Sequence, residues 1–191
     1  MSYTEIYGFD LKGNANFEAE VRNAFRGGMA VWRIMELRHL PPLPPKYGME
    51  CHRYSTFPVG GAENPLKEVW ALADNLDIPV DQRIVLFTTF DNCLVKKQDL
   101  PRVIAALRAF EGEDHKGETN LGEQADVLEQ IAADPEVIAV GWNQTSVNAD
   151  TWSNAGGYDD VKDEPIPYNC LTGDAHYWLF DELKENDTET P

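Results

Sequence analysis

Val137-Ile138-Ala139-Val140-Gly141-Trp142 runs into Asn143-Gln144-Thr145-Ser146-Val147-Asn148-Ala149-Asp150-Thr151-Trp152 near the middle of the C-terminal half. Six small or apolar residues closed by a run of amides and hydroxyls are the pattern of a buried strand that ends in a polar loop. The segment before it has another period. Leu121, Ala125, Leu128 and Ala132 recur at helical spacing, and Asp134-Pro135 stops that helix before the strand begins. A helix over 121–133 feeding a buried strand over 137–142 calls for a sheet with helices packed on it.

Toward the N-terminus the same signals repeat. Asp99 is placed to cap a helix with Pro101 in its first turn and Val103, Ile104, Leu107 and Phe110 along its buried side. Arg83-Ile84-Val85-Leu86-Phe87-Thr88-Thr89-Phe90 reads as a strand, and Asp91-Asn92 as a turn into a second strand over 93–97, together a hairpin. Asn64-Pro65 starts a short helix that buries Leu66, Val69, Trp70 and Ala73. Val21, Phe25, Gly28, Trp32 and Met35 form one stripe, which predicts a long helix from Asn16 to about His39, with a close helix contact or a bend at Gly27-Gly28. On that helix Arg22, Arg26 and Arg33 share a flank, and Glu18 and Arg22 stand one turn apart as an ion pair. Residues 4–9 alternate as a strand, followed by a turn over 10–14. C-terminal to the polar run, residues 156–167 read as loop and residues 175–180 as a last strand.

These elements predict an α+β fold: one compact domain over 1–184, with a mixed or antiparallel sheet of four or five strands and three or four helices. Residues 111–119 read as a flexible loop and 185–191 as an acidic tail. No glycine-rich strand-to-helix turn is present for a dinucleotide.

Composition sets the class. The chain has 191 residues, 42% of them hydrophobic, which suffices for a packed core. No apolar run approaches a membrane span, and the N-terminal residues carry no secretory pattern, so a cytoplasmic protein is expected. Cys51, Cys93 and Cys170 are far apart and odd in number, which suggests neither a disulfide framework nor a zinc site. No cofactor or metal is expected.

Charge is unevenly divided. Residues 1–110 hold 13 acidic and 13 basic side chains, whereas residues 111–191 hold 20 acidic and only Lys116, Lys162 and Lys184, so the net −17 falls in the C-terminal part. Such a field repels nucleic acid and anionic membrane and attracts basic proteins. It also serves solubility alone, as a solvated acidic face would.

Four stretches have residue types that carry chemistry. In the polar run, Asn143, Gln144, Thr145, Asn148, Asp150 and Trp152 could hydrogen-bond and stack on a small ligand at a strand end; the same residues also satisfy loop backbone. Asp159, Asp160, Asp163, Glu164 and Asp174 form a candidate partner-binding acidic face, without a calcium-loop pattern. Cys170 and His176 could pair as nucleophile and base, but lie in no hydrolase signature and read as buried structural residues. Arg38-His39-Leu40-Pro41-Pro42-Leu43-Pro44 matches the ligand pattern of SH3 domains, against the plainer reading of a rigid spacer packing Leu40 and Leu43 on the core.

Phe90-Asp91, Val95-Lys96-Lys97, Glu123-Gln124-Ala125 and above all the Gly141–Trp152 run resemble a family of uncharacterised proteins encoded by phages and prophages of gut and Gram-positive bacteria. The opening Tyr3-Thr4-Glu5-Ile6-Tyr7-Gly8-Phe9, the stretch Arg26-Gly27-Gly28-Met29-Ala30-Val31-Trp32 and the closing Trp178-Leu179-Phe180-Asp181-Glu182 fit the same family. The resemblance implies a setting, the cytoplasm of an infected bacterium, and no chemistry. Two function classes follow. One is a non-enzymatic acidic accessory protein that binds and inhibits a basic host protein, such as a nucleic-acid-binding defence factor, by presenting a nucleic-acid-like surface. The other is a protein that binds, sequesters or hydrolyses a small molecule such as a nucleotide at the 143–150 loop.

Overall fold

Asp10 turns the chain between the first two strands: its Oδ1 accepts from the Lys12 and Asn14 amides at 2.8 and 3.0 Å. Gly13 completes the turn at φ +78°, a conformation that favours glycine, with Asn169 packed where a Cβ would stand. The computed structural model describes residues 3–22, 26–46, 48–53, 64–90, 92–112, 119–144, 152, 158–166, 168–173 and 176–185, with only the backbone at 111, 112, 144 and 165.

The strands joined by this turn are β1 (Tyr3–Phe9) and β2 (Ala15–Arg22). The helix expected from Asn16 is therefore corrected: residues 15–22 are a strand, and helix α1 spans Gly28–His39. One irregularity disguises the strand. Ile6 pairs with Ala19 and Tyr7 with Phe17, so Glu18 is the extra residue of a β-bulge. Phe17 and Ala15, opposite Tyr7 and Phe9, consequently face one side of the sheet while Val21, opposite Thr4, faces the other, which breaks the strand's alternation. Gly27 is the N-cap of α1 rather than a bend within it, and Arg22 lies on β2, so Arg22 and Arg33 do not share a helix flank.

Asn64 Oδ1 accepts from the Leu66 amide at 3.0 Å and opens α2 (Leu66–Trp70), which continues as a 3₁₀ turn through Asp74. Next comes the second correction. The expected strand over 83–90 is instead helix α3 (Val80–Phe87). Residues 83–87 are all buried, and a helix buried on every side shows no amphipathic stripe, so its apolar run imitates a strand. Thr88 and Thr89 close it, donating their hydroxyls to Val85 O and Leu86 O at 2.8 and 2.6 Å. The hairpin expected over 83–97 is thereby excluded; β3 (Cys93–Lys96) follows a helix, and Asn92 takes φ 69° just before it.

Helices α4 (Leu100–Gly112) and α5 (Leu121–Ala133) lie where periodicity places them, and Asp134 ends α5 in an extended conformation. Glu111 and Gly112 belong to α4 and Thr119 is buried, while residues 113–118 of the expected loop lie outside the described residues. Strand β4 (Ala139–Gln144) follows. The short β5 (Tyr158–Asp159) and β6 (Glu164–Pro165) make a hairpin of their own, in place of an irregular loop. The last expected strand shrinks to β7 (Tyr177–Trp178), after which Leu179–Glu182 turns as helix α6.

The fold is α+β, with one mixed sheet of five strands in the order β2-β1-β4-β3-β7 and, among the described residues, six α-helices rather than three or four. Neighbouring strands are antiparallel except β3 and β7. The sheet separates two cores. Ile6, Val95, Val140 and Trp142 point into the large core with α1 to α6. Phe9, Leu94 and Ala139 point to the opposite face, where Trp152 and Cys170 cover them.

Arg83 fastens the C-terminal segment. It is 2% exposed, and its guanidinium donates to Ile78 O, Ala73 O and Lys184 O at 3.2, 3.4 and 2.6 Å. A buried cation is tolerated here because charge-assisted bonds to carbonyls replace its water.

Candidate functional site

The antiparallel register of β1 and β4 sets three pairs on the face away from the large core: Glu5 with Asn143, Tyr7 with Gly141 and Phe9 with Ala139. Asn143 is 2% exposed, and its Nδ2 donates to Glu5 Oε2 at 3.0 Å. The Tyr7 hydroxyl donates to the same oxygen, also at 3.0 Å. One carboxylate oxygen thus takes two donors and locks the start of the polar run to β1.

Gly141 lies beneath Trp152. A Cβ there would stand 2.6 Å from Trp152 Cζ2, so the absent side chain makes room for the indole. Trp152 also packs edge-on against Phe9 at 4.9 Å and stacks on His176 at 4.4 Å and 25°. The polar run is therefore clamped at both ends, at Asn143 by hydrogen bonds and at Trp152 by aromatic packing. Trp142 points the other way, fully buried on the helical side. Gln144 is the last residue of β4, opposite Thr4. Thr145, Asn148 and Asp150 lie outside the described residues.

Cys170 and His176 both reach this cover, with separate partners. The Cys170 thiol donates to Trp152 O at 3.8 Å, and burial pushes its pKa up, which keeps it protonated and a poor nucleophile. His176 Nδ1 faces the Tyr168 hydroxyl at 3.3 Å. Its Nε2 is buried with no hydrogen-bond partner among the described residues, and desolvation pushes the imidazole pKa down.

Four of the five acidic candidates sit together on the β5–β6 hairpin; Asp174 lies outside the described residues. Asp159 Oδ1 accepts from the Val161 and Lys162 amides at 3.0 and 3.2 Å and folds the turn. The Tyr158 hydroxyl donates to Asp163 Oδ1 at 2.9 Å, and this bond to a carboxylate raises the phenol pKa. Asp160 and Glu164 are exposed, and Lys162 stands 3.4 Å from Asp159 and 4.0 Å from Glu164. At the tip Val161 is 95% exposed.

Elsewhere the division of charge along the chain is partly undone in space. Arg102 pairs with Glu185 at 2.9 Å, Arg108 with Asp126 and Glu129 at 2.8 and 3.0 Å, and Lys96 with Asp181 at 3.7 Å. Bases of the balanced N-terminal part thus neutralise acids of the C-terminal part.

Glu5 and Tyr7 were not singled out by sequence. A glutamate inside a strand otherwise rich in apolar residues is the signal that marks Glu5, but its partner stands 138 positions away and only the register joins them. Among the described residues no helix is long and apolar enough to cross a membrane, and no three of His, Cys, Asp and Glu gather as metal ligands would. No protein-family model matches the chain, and neither a curated protein nor a solved structure does.

Proposed function

We propose that this protein is a non-enzymatic binding protein whose target is a basic host protein, and that the β5–β6 hairpin is its leading contact. The observation that carries the reading is the composition of that hairpin. Asp159, Asp160, Asp163 and Glu164 against Lys162 leave a local charge of −3 (4 acidic minus 1 basic) on an exposed turn. Val161 at its tip and Tyr158 beside it, 95% and 53% exposed, give it apolar area to bury. Carboxylates around an exposed apolar tip suit docking, since charge steers encounter and apolar burial holds the complex.

The resemblance to phage-encoded proteins supports the cytoplasm of an infected bacterium as the setting and inhibition of the bound host protein as the outcome. A nucleic-acid-binding defence factor is the natural class of target, because its basic channel attracts a protein of net charge −17. The alternative, a small-ligand site in the 143–150 loop, draws no support from Asn143, whose amide is committed to Glu5.

Capture from bacterial lysate tests the proposal. A basic protein should be retained by the tagged chain at about 50 mM salt and released at about 500 mM, as screening of a charge-steered contact requires. An empty eluate, or retention indifferent to salt, would overturn it.

A further inference from the structure

The β-bulge at Glu18 exchanges two side chains between the faces of the sheet. Continued regularly from the pair of Ile6 with Ala19, the register would set Tyr7 opposite Glu18 and Gly8 opposite Phe17. The phenyl ring would then point with Ile6 and Val21 toward the large core. The extra residue instead puts Phe17 opposite Tyr7 on the face away from the helices, where it is 54% exposed. The Glu18 carboxylate comes to lie over Gly8, its Oε1 2.7 Å from where a Cβ would stand, beside Val137. Burial there raises its pKa. Stability alone favours the reverse, ring inward and carboxylate outward. A bulge held against that preference re-aims a side chain for use.

The surroundings of Phe17 show the use. Its ring meets Tyr7 edge-on, with centroids 5.8 Å apart at 77°, so two rings of different orientation stand together at the surface. The next pair along the same face is Glu5 opposite Glu20. Residues directly opposite carry Cβ atoms about 4.5–5.5 Å apart, and like charges at that spacing repel. Glu20 is exposed, and Glu5 is held in place by neutral donors, Tyr7 and Asn143. Among the described residues no base forms an ion pair with either carboxylate, and this includes Arg22, which stands opposite Tyr3 one pair further along.

We propose that this block of two rings and two carboxylates on β1 and β2 seats an arginine side chain of a basic partner protein, with the guanidinium stacked on Phe17 and bonded to Glu20 and Glu5. The inference rests on the reading that the target is basic, and it adds a contact outside the β5–β6 hairpin. Arginine suits the site better than lysine, because a planar guanidinium stacks on a ring while its N–H groups reach a carboxylate. The two bonds that fix Glu5 reduce the ordering that binding would otherwise cost.

A labelled hexa-arginine peptide tests the site without the host protein. Its binding to the whole chain is followed by fluorescence anisotropy at about 50 mM salt, where charge contacts are only weakly screened. Glu20→Gln and Phe17→Ala should each weaken binding about two- to fivefold, the effect of one exposed ion pair or cation–π contact. Glu123→Gln removes the same charge from an exposed position on α5 and should leave binding unchanged. Hexa-lysine, of equal charge, should bind several-fold more weakly than hexa-arginine. Glu20→Gln alters only an exposed side chain, so it decides the matter even where Phe17→Ala loosens the edge strand. The hairpin reading fails separately: Asp160→Lys with Glu164→Lys leaves these four side chains in place, and the effect of Glu20→Gln should persist in that background. Binding indifferent to Glu20→Gln, an equal loss in Glu123→Gln, or equal affinity for hexa-lysine would each overturn the proposal.

Discussion

Gly141, two residues before the polar run, and Trp152, at the end of it, are in contact: the indole of Trp152 fills the place of the side chain that Gly141 lacks. The contact brings Trp152 onto the sheet face opposite the helices. Gly141→Ala should push Trp152 off Phe9 and His176, because a methyl 2.6 Å from Cζ2 cannot be accommodated in place. A loss of about 1–3 kcal/mol is expected in urea denaturation, with a changed near-ultraviolet circular dichroism from the displaced indole. An unchanged spectrum and midpoint would contradict the packing.

The second clamp is the carboxylate of Glu5. Asn143→Ala removes one of the two donors to Glu5 Oε2 and should cost about 1–3 kcal/mol. Combined with Glu5→Gln, the double variant should lose less than the sum of the singles, since both changes break one bond. Additive losses would mean that Asn143 and Glu5 do not act together.

His176 makes the outer cover sensitive to acid. Burial holds its folded pKa below the unfolded value near 6.5, so as pH falls the unfolded chain takes up the proton first. The stability this group contributes is full above about pH 6.5 and is lost as pH falls toward the folded pKa. His176→Phe keeps a ring against Trp152 without a proton to gain. Its melting temperature should fall less than that of the wild type between about pH 7.5 and 5.5; equal falls would contradict this.

The sequence is legible where one physical signal dominates. Helices α4 and α5 show one apolar stripe each, and Pro101 and Asp134-Pro135 mark a start and a stop. Helix α3 is opaque for the opposite reason: with Arg83 to Phe87 all buried, no polar face reveals the 3.6-residue period. Strand β2 is hidden by the bulge at Glu18, a feature of pairing with β1 rather than of either strand alone. The same holds for the candidate site. The amides of the polar run are visible as a motif, yet the Glu5 bond that holds Asn143 exists only in the register of two distant strands.

Arg83 shows how a misread element conceals a structural role. On a strand it would be an exposed end residue, whereas in α3 it is the buried tie to Lys184 O. Arg83→Met keeps the volume and removes three bonds to carbonyls. A loss of about 3 kcal/mol or more is expected in urea denaturation, since buried acceptors are left without donors. A loss below about 1 kcal/mol would mean that water or another side chain serves these carbonyls equally well.

If the acidic hairpin leads docking on a basic protein, reversing its charge abolishes that docking. Asp160→Lys and Glu164→Lys together change the local charge by +4 while sparing the Asp159 turn bonds and the Tyr158–Asp163 bond. The measurement is capture from one bacterial lysate by wild type and by this double variant, side by side, with a salt step. A basic protein that wild type retains at low salt and releases at high salt should not be retained by the double variant. Equal retention by both proteins, or none by wild type, would contradict it.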